Sequence, residues 1–263
     1  MQHVIDGISI MIGSGGRPID QQRRAIVFVH GAGMDHTAWV AQARSYAEAG
    51  WSVIAPDLPG HGHSGGTPLA RIEDMAHWVF EVLDVLGFER AAMVGHSMGG
   101  AIVLEAAAVA PERVTHLGIV GSGAAIRVNP ALIETAEKEP AKAYDMMTKW
   151  ALAPAARIGS SAVPGLWLAG SARAVFDQNR PGVLASDLRA CAAWTNGAEA
   201  AKRVACSAVV IAGERDIMTP PKRSQELAGL IEGAKLVTLQ RIGHMIMAEA
   251  PYDCTRALRS VII

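Results

Sequence analysis

Two serines in this chain lie in a Gly-x-Ser-x-Gly setting, Gly62-His63-Ser64-Gly65-Gly66 and Gly95-His96-Ser97-Met98-Gly99. A serine so placed can sit on a strained strand-to-helix turn that exposes its hydroxyl, with glycines where side chains would strike the neighbouring strand and helix. The chemistry on offer is nucleophilic attack on a carbonyl carbon. A hydroxyl performs it only when an adjacent base takes its proton, and that base needs a carboxylate to orient it. Context separates the two serines. Ser64 follows Pro59-Gly60-His61-Gly62 and precedes Thr67-Pro68, so loop lies on both sides. Ser97 follows the apolar run Ala91–Val94 and enters the helix-forming run Ala101-Ile102-Val103-Leu104-Glu105-Ala106. Ser97 is the expected nucleophile, and Ser64 is expected to be structural.

The partners of such a serine follow it in the order acid, then histidine. Beyond His116 the chain has a single histidine, His244, in a loop after the apolar run Leu236–Leu239. That places it at the carboxyl end of a strand, where open α/β sheets bind ligands. The run Ala208–Ala212 leads into Gly213-Glu214-Arg215-Asp216, and Asp216 is the preferred acid. Glu214 is the alternative, but it is closer to the strand end and reads as a turn charge paired with Arg215. An oxyanion needs two backbone N–H donors. Met98 offers one at a helix N-terminus, where free amides and the dipole favour negative charge. The other is expected from Ala32, in the small-residue loop His30-Gly31-Ala32-Gly33. His30 itself is expected to tie loops together. Met34, Met218 and Met245 border these loops and could form a soft apolar substrate pocket. His61 and His63 lack a carboxylate or cysteine at ligand spacing, so no metal site is expected.

These residues need a scaffold that presents several loops on one side. The alternating Ile8, Ile10 and Ile12 after Asp6-Gly7 signal a hairpin over Val4–Ile12. The runs Ala25–Val29, Trp51–Ala55, Ala91–Val94, Leu117–Val120, Ala208–Ala212 and Leu236–Leu239 read as strands buried on both faces. Helical patterns alternate with them at Thr37–Ala49, Ile72–Leu86, Ala101–Ala110, Lys222–Ile231 and Tyr252–Val261. Such alternation predicts a parallel sheet with helices on both faces. From 124 to 205 the alternation lapses into a helix-like stretch interrupted by Pro130, Pro140, Pro154, Pro164 and Pro181. It is expected to be a helical insertion, with core domain at 1–123 and 206–263.

Taken in chain order, His30-Gly31-Ala32-Gly33, Asp57-Leu58-Pro59-Gly60-His61-Gly62-His63-Ser64, Gly95-His96-Ser97-Met98-Gly99-Gly100, Gly213-Glu214-Arg215-Asp216 and Gly243-His244 resemble the α/β-hydrolase superfamily, in its capped serine esterase and lipase-like branch. The resemblance covers nearly the whole chain outside the insertion. It implies an α/β fold with an eight-stranded, mostly parallel sheet, a helical cap after the sixth strand, a Ser97–His244–Asp216 triad and no cofactor. It also implies that Asp57–Ser64 is a structural loop. Relatives that cleave carbon–carbon bonds of ring-fission products commonly carry Asn before the nucleophile and Trp after the triad histidine, where this chain has His96 and Met245. Cofactor-free perhydrolases share the triad. A ligand-binding protein that kept the fold without catalysis would usually lack one triad group, and all three are present here.

Composition bounds the rest. The chain has 263 residues, half of them hydrophobic, with Lys+Arg 24 against Asp+Glu 25. A net charge of −1 argues against a phosphate-neutralising nucleic-acid groove. No apolar run reaches the roughly 18 residues of a membrane span, and the first residues lack the basic and apolar regions of a signal peptide. Three well-separated cysteines suit a reduced, cytoplasmic setting. The expected partner is a small-molecule ester. Nothing in the composition speaks to oligomeric state.

Overall fold

A computed structural model describes residues 1–159 and 165–263; Pro164, one of the prolines above, lies outside them. Eight strands form one sheet: β1 (Gln2–Ile5), β2 (Ile8–Gly13), β3 (Ala25–Val29), β4 (Ser52–Pro56), β5 (Ala91–His96), β6 (Val114–Val120), β7 (Ser207–Gly213) and β8 (Lys235–Leu239). Their spatial order is β1-β2-β4-β3-β5-β6-β7-β8. β1 and β2 pair antiparallel around Asp6-Gly7, β2 meets β4 antiparallel, and the remaining neighbours run parallel. The sheet is therefore eight-stranded and mostly parallel.

Period-two side-chain alternation splits the strands between two apolar cores. Val27 and Val29, Met93 and Val210 face one core, which α2 (Ile72–Val85), α3 (Met98–Val109) and α10 (Pro221–Leu230) cover. Ile26 and Phe28, Val94, and Val209 and Ile211 face the other, under α1 (Val40–Glu48) and α12 (Pro251–Arg259). α2 shows why a helix forms there. Ile72, Met75, Ala76, Val79, Phe80 and Leu83 make one buried stripe, and Glu73 and Asp74 in its first turn complement the helix dipole.

Among the described residues, six helices lie between β6 and β7: α4 (Pro130–Lys138), α5 (Pro140–Ala151), α6 (Pro154–Arg157), α7 (Leu168–Asp177), α8 (Val183–Ala193) and α9 (Gly197–Lys202). Pro130, Pro140 and Pro154 do not interrupt these helices. Each is a first residue, where a missing N–H costs nothing and a fixed φ helps. α9 packs against α3 and α10. The short α11 (Ile246–Glu249) precedes α12. Among the described residues, no helix is long and apolar enough to cross a membrane.

Candidate active site

Parallel strands deliver their carboxyl ends to one edge, and the loops after β3, β5, β7 and β8 meet there. Ser97 stands between the end of β5 and the start of α3, as the residue that caps the helix, with φ 53° and ψ −115°. For a side-chain-bearing residue this is a strained conformation, costing about 1–3 kcal/mol. The surroundings enforce it. A Cβ on Gly95 would lie 2.0 Å from the Gly99 carbonyl oxygen, and one on Gly99 would lie 2.2 Å from the Val29 oxygen. The strand, the turn and β3 can approach this closely only without side chains there. The Ser97 amide donates to the Val120 carbonyl (3.0 Å), which fixes the turn against β6. Ser97 is half-buried, whereas Met98, the first residue of α3, is fully buried.

Asp216 and His244 reach each other across 28 residues. His244 Nδ1 donates to Asp216 Oδ2 at 2.7 Å, and both residues are 3% exposed. Asp216 Oδ1 accepts from the amides of Met218 (2.9 Å) and Thr219 (2.8 Å), so the carboxylate is held at both oxygens. Close approach again allows the meeting, since a Cβ on Gly213 would lie 2.1 Å from the Gly243 oxygen. Glu214 turns away. Its Oε2 accepts from the Arg241 amide (2.9 Å) and lies 3.6 Å from Arg215 Nε.

Two further residues, which the sequence reading did not assign, hold the His244 loop. His96 Nε2 donates to the His244 carbonyl (3.0 Å), and the two rings are 4.7 Å apart. Burial, and then the neighbouring His244, push the His96 pKa well below its ordinary value, so His96 is a neutral bridge beside Ser97. Glu249 Oε2 accepts from the amides of Gly243 and Ala153, both at 3.1 Å, and burial raises its pKa. The amides of His244 and Met245 donate to the Ala151 carbonyl at 2.9 and 3.0 Å, tying this loop to the end of α5.

On the β3 side, Ala32 lies 8% exposed, and among the described residues neither its amide nor that of Met98 has an intramolecular acceptor. His30 accepts from the Leu58 amide through Nε2 (3.1 Å) and donates to the Gly31 carbonyl through Nδ1 (2.9 Å). Burial, then the charge of His61, lower its pKa to about 4, which keeps it neutral and able to serve both roles. Ser64 is fully buried. Its hydroxyl donates to the Asp57 carbonyl (2.7 Å) and accepts from the Met11 amide (3.0 Å), so it is engaged in holding the loop.

Ligating atoms of Asp35, His36 and Asp57 come within 4.8 Å of one another. Each is already engaged. Asp35 caps the Thr37 amide, while Asp57 accepts from the amide and Nδ1 of His36 (both 2.7 Å) and from the His63 amide (2.9 Å). The hydrogen bond to Asp57 raises the His36 pKa. Burial alone would raise that of Asp57, but the bonds from His36 outweigh it and lower it. The pair therefore contributes most above the ordinary carboxylate range and below that of a free histidine, and the contribution fades as pH rises through the elevated His36 value. His36→Ala should lower the melting temperature by about 2–4 °C at pH 5.5, with the gap narrowing by pH 9. Parallel thermal melts of both proteins at the two pH values check this, and a gap that widens with pH would contradict it.

Beside the loops that carry Met34 and Met245 lies a cavity of about 880 Å³, mainly apolar, between α1, α7 and α12. Met34 and Met245 form its inner wall, Leu168 and Val175 one side, and Arg44 and Arg256 its outer rim. Met218 is half-buried against both cores and is not part of this wall.

A family model described as alpha/beta hydrolase fold matches residues 24–159, and one described as TAP-like protein matches residues 180–260. The chain superposes on the enol-lactonase from Burkholderia xenovorans LB400 with a TM-score of 0.90 at 24% identity, covering 100% of this chain and 99% of that one. It superposes on a thermophilic esterase with a TM-score of 0.79 at 28% identity, covering 99% and 95%. Over 104 residues it is 39% identical to the 2-hydroxy-6-oxononadienedioate/2-hydroxy-6-oxononatrienedioate hydrolase of Burkholderia vietnamiensis, covering 38% of this chain and 36% of that one. The chain spans 28% to 37% of the length of such curated relatives.

Proposed function

Because the chain belongs to the α/β-hydrolase fold family, we propose that it is a serine hydrolase that cleaves a small to medium carboxylic ester through an acyl-enzyme. The observation that carries this reading is the strained Ser97 turn beside a bonded Asp216–His244 pair, with His96 bridging the two. Ser97 Oγ attacks the carbonyl carbon while His244 Nε2 takes its proton. Asp216 holds the tautomer and stabilises the imidazolium. The amides of Ala32 and Met98 donate to the oxyanion. As the tetrahedral adduct collapses, the C–O bond to the alcohol breaks and His244 returns its proton to the leaving oxygen. Water then attacks the acyl-enzyme, giving a proton to His244, which passes it to Ser97 Oγ as the acyl C–O bond breaks and the free acid leaves. No cofactor or metal is needed at any step of this scheme. The helices between β6 and β7, residues 124–205, would serve as its cap, and the three free thiols suit a reducing compartment such as the cytoplasm.

Labelling by an active-site-directed fluorophosphonate tests the reading directly. The expected result is one label per chain, on Ser97. An unlabelled, folded protein that turns over no p-nitrophenyl ester would overturn the serine-esterase reading.

The apolar cavity beyond Met34 and Met245 is the proposed place for the acyl chain. Val175→Trp should fill part of it, lowering kcat/KM for p-nitrophenyl octanoate at least about tenfold while leaving the acetate within about twofold. Equal effects on both esters would place the acyl group elsewhere.

The curated relative from Burkholderia vietnamiensis favours a second reading, hydrolysis of a carbon–carbon bond in a vinylogous dienoate. His96 and Met245 stand where that class commonly has Asn and Trp, so ester cleavage is preferred. A dienoate substrate run beside the ester series separates the two.

A further inference from the structure

Gly33 follows the proposed oxyanion donor Ala32, and both of its backbone polar groups are held by side chains from between β6 and β7. Its amide donates to Asp187 Oδ2 (2.8 Å), and its carbonyl accepts from Asn179 Nδ2 (2.6 Å). These contacts span 154 and 146 residues of chain. The preceding peptide plane, which carries the Ala32 N–H, is fixed through the Gly31 carbonyl, which accepts from His30 Nδ1 (2.9 Å) and the Met34 amide (3.2 Å). Three consecutive peptide planes are thus pinned, two of them by residues outside the core sheet.

Asp187 is an expensive residue to put there. It is fully buried on the apolar face of α8, among Leu184, Leu188 and Cys191. Its counter-charge is His61, whose Nε2 donates to the same Oδ2 (2.8 Å) and whose Nδ1 donates to the Pro59 carbonyl (3.1 Å). With acceptors at both nitrogens the ring is protonated. Burial would lower its pKa, but the charge and hydrogen bond of Asp187 raise it. A buried pair of this kind brings little net stability compared with an apolar replacement. What it does bring is a fixed acceptor for one amide of the β3 loop.

We propose that Asp187 and Asn179 are positioning residues for the oxyanion hole: by pinning the two peptide planes that follow the Ala32 N–H, they hold the loop and the aim of that amide at the substrate while the α7–α8 segment is seated on the core. The proposal rests on the hydrolase reading above, with Ala32 as a donor. Seating these helices then both encloses the substrate and completes the electrostatic site, which couples the two events.

The test uses the full chain with p-nitrophenyl butyrate as substrate and an alkylboronic acid as probe, since its tetrahedral adduct on serine puts an oxygen where the oxyanion forms. Asp187→Ala should lower kcat by about 10²-fold per fluorophosphonate-labelled site, with KM within about threefold. Its boronate inhibition constant should rise in step with that loss. Asn179→Ala should lose about tenfold in the same two quantities. Asp187→Asn keeps an oxygen that can accept from the Gly33 amide and should recover most of the activity. A purely structural role would reduce the labelled fraction or the melting temperature and leave kcat per site and boronate affinity untouched, and that outcome overturns the proposal. If Asp187→Ala does not fold, Asn179→Ala and Asp187→Asn decide it on the same readouts. A wild type that is neither labelled nor active sinks the hydrolase reading and the clamp together, while an active wild type with unaffected variants sinks the clamp alone.

Discussion

Replacing Ser97 with alanine should lower kcat for p-nitrophenyl butyrate by about 10⁴–10⁶-fold, with little change in KM. Ser97 Oγ is the only protein atom proposed to bond to the carbonyl carbon, so its removal leaves water as the nucleophile, with the His244–Asp216 pair and the amides of Ala32 and Met98 as the remaining apparatus. The fold should survive. Ser97 is half-buried, its backbone amide rather than its hydroxyl bonds Val120, and alanine is no bulkier. Its φ of 53° remains costly for alanine, but the serine already bears that strain. The decisive comparison pairs steady-state turnover with circular dichroism on the same preparations. A folded variant turning over at a rate near wild type would transfer the nucleophile elsewhere in the chain.

Asp216→Asn should cost about 10³–10⁴-fold in kcat, whereas Glu214→Gln should stay within about twofold of wild type. Asp216 Oδ2 takes the proton-bearing nitrogen of His244, and an amide in its place could present N–H to that nitrogen and stabilise the wrong tautomer. The other oxygen would still accept from Met218 and Thr219, so the loop should keep its shape. Glu214 instead bonds the Arg241 amide on the far side of the turn. Kinetics of the two variants side by side distinguish the candidates that the sequence left open, and the reverse ranking would exchange their roles.

The core of the fold was readable because burial on both faces writes unbroken apolar runs. β3 spans Ala25–Val29 in both the pattern and the structure, all five residues buried. Helix starts were harder. The pattern places the onset of α3 at Ala101, yet it begins at Met98, since Gly99 and Gly100 are poor helix formers whose placement is set by contact with Val29 and Ser122. In sequence the prolines of the intervening segment look like interruptions, although three of them begin helices; proline carries the same signal in both cases until the following turn is known.

Ser97, Asp216 and His244 can be proposed from the sequence because each combines a chemical type with a strand end. His96, Glu249 and Asp187 bond backbone groups, a carbonyl for His96 and amides for the two acids, and backbone partners leave no trace in residue identity. One clue did exist. Leu184, Asp187, Leu188 and Cys191 recur at i, i+3, i+4 and i+7, and an acid on an otherwise apolar helical stripe implies a buried partner. The partner, His61, could not be named from spacing alone.

The contacts around Gly95 and Gly99 also bear on how such a molecule can diversify. Any side chain at either position would collide with main-chain oxygen, so drift there is closed whatever the substrate. Val175 and Leu168, lining the open cavity on α7, meet no such barrier and can exchange one apolar shape for another. On the proposed mechanism, mutation would retune selectivity at the cavity wall while the Ser97 hydroxyl stays where it is, and laboratory evolution of new activities is best begun there.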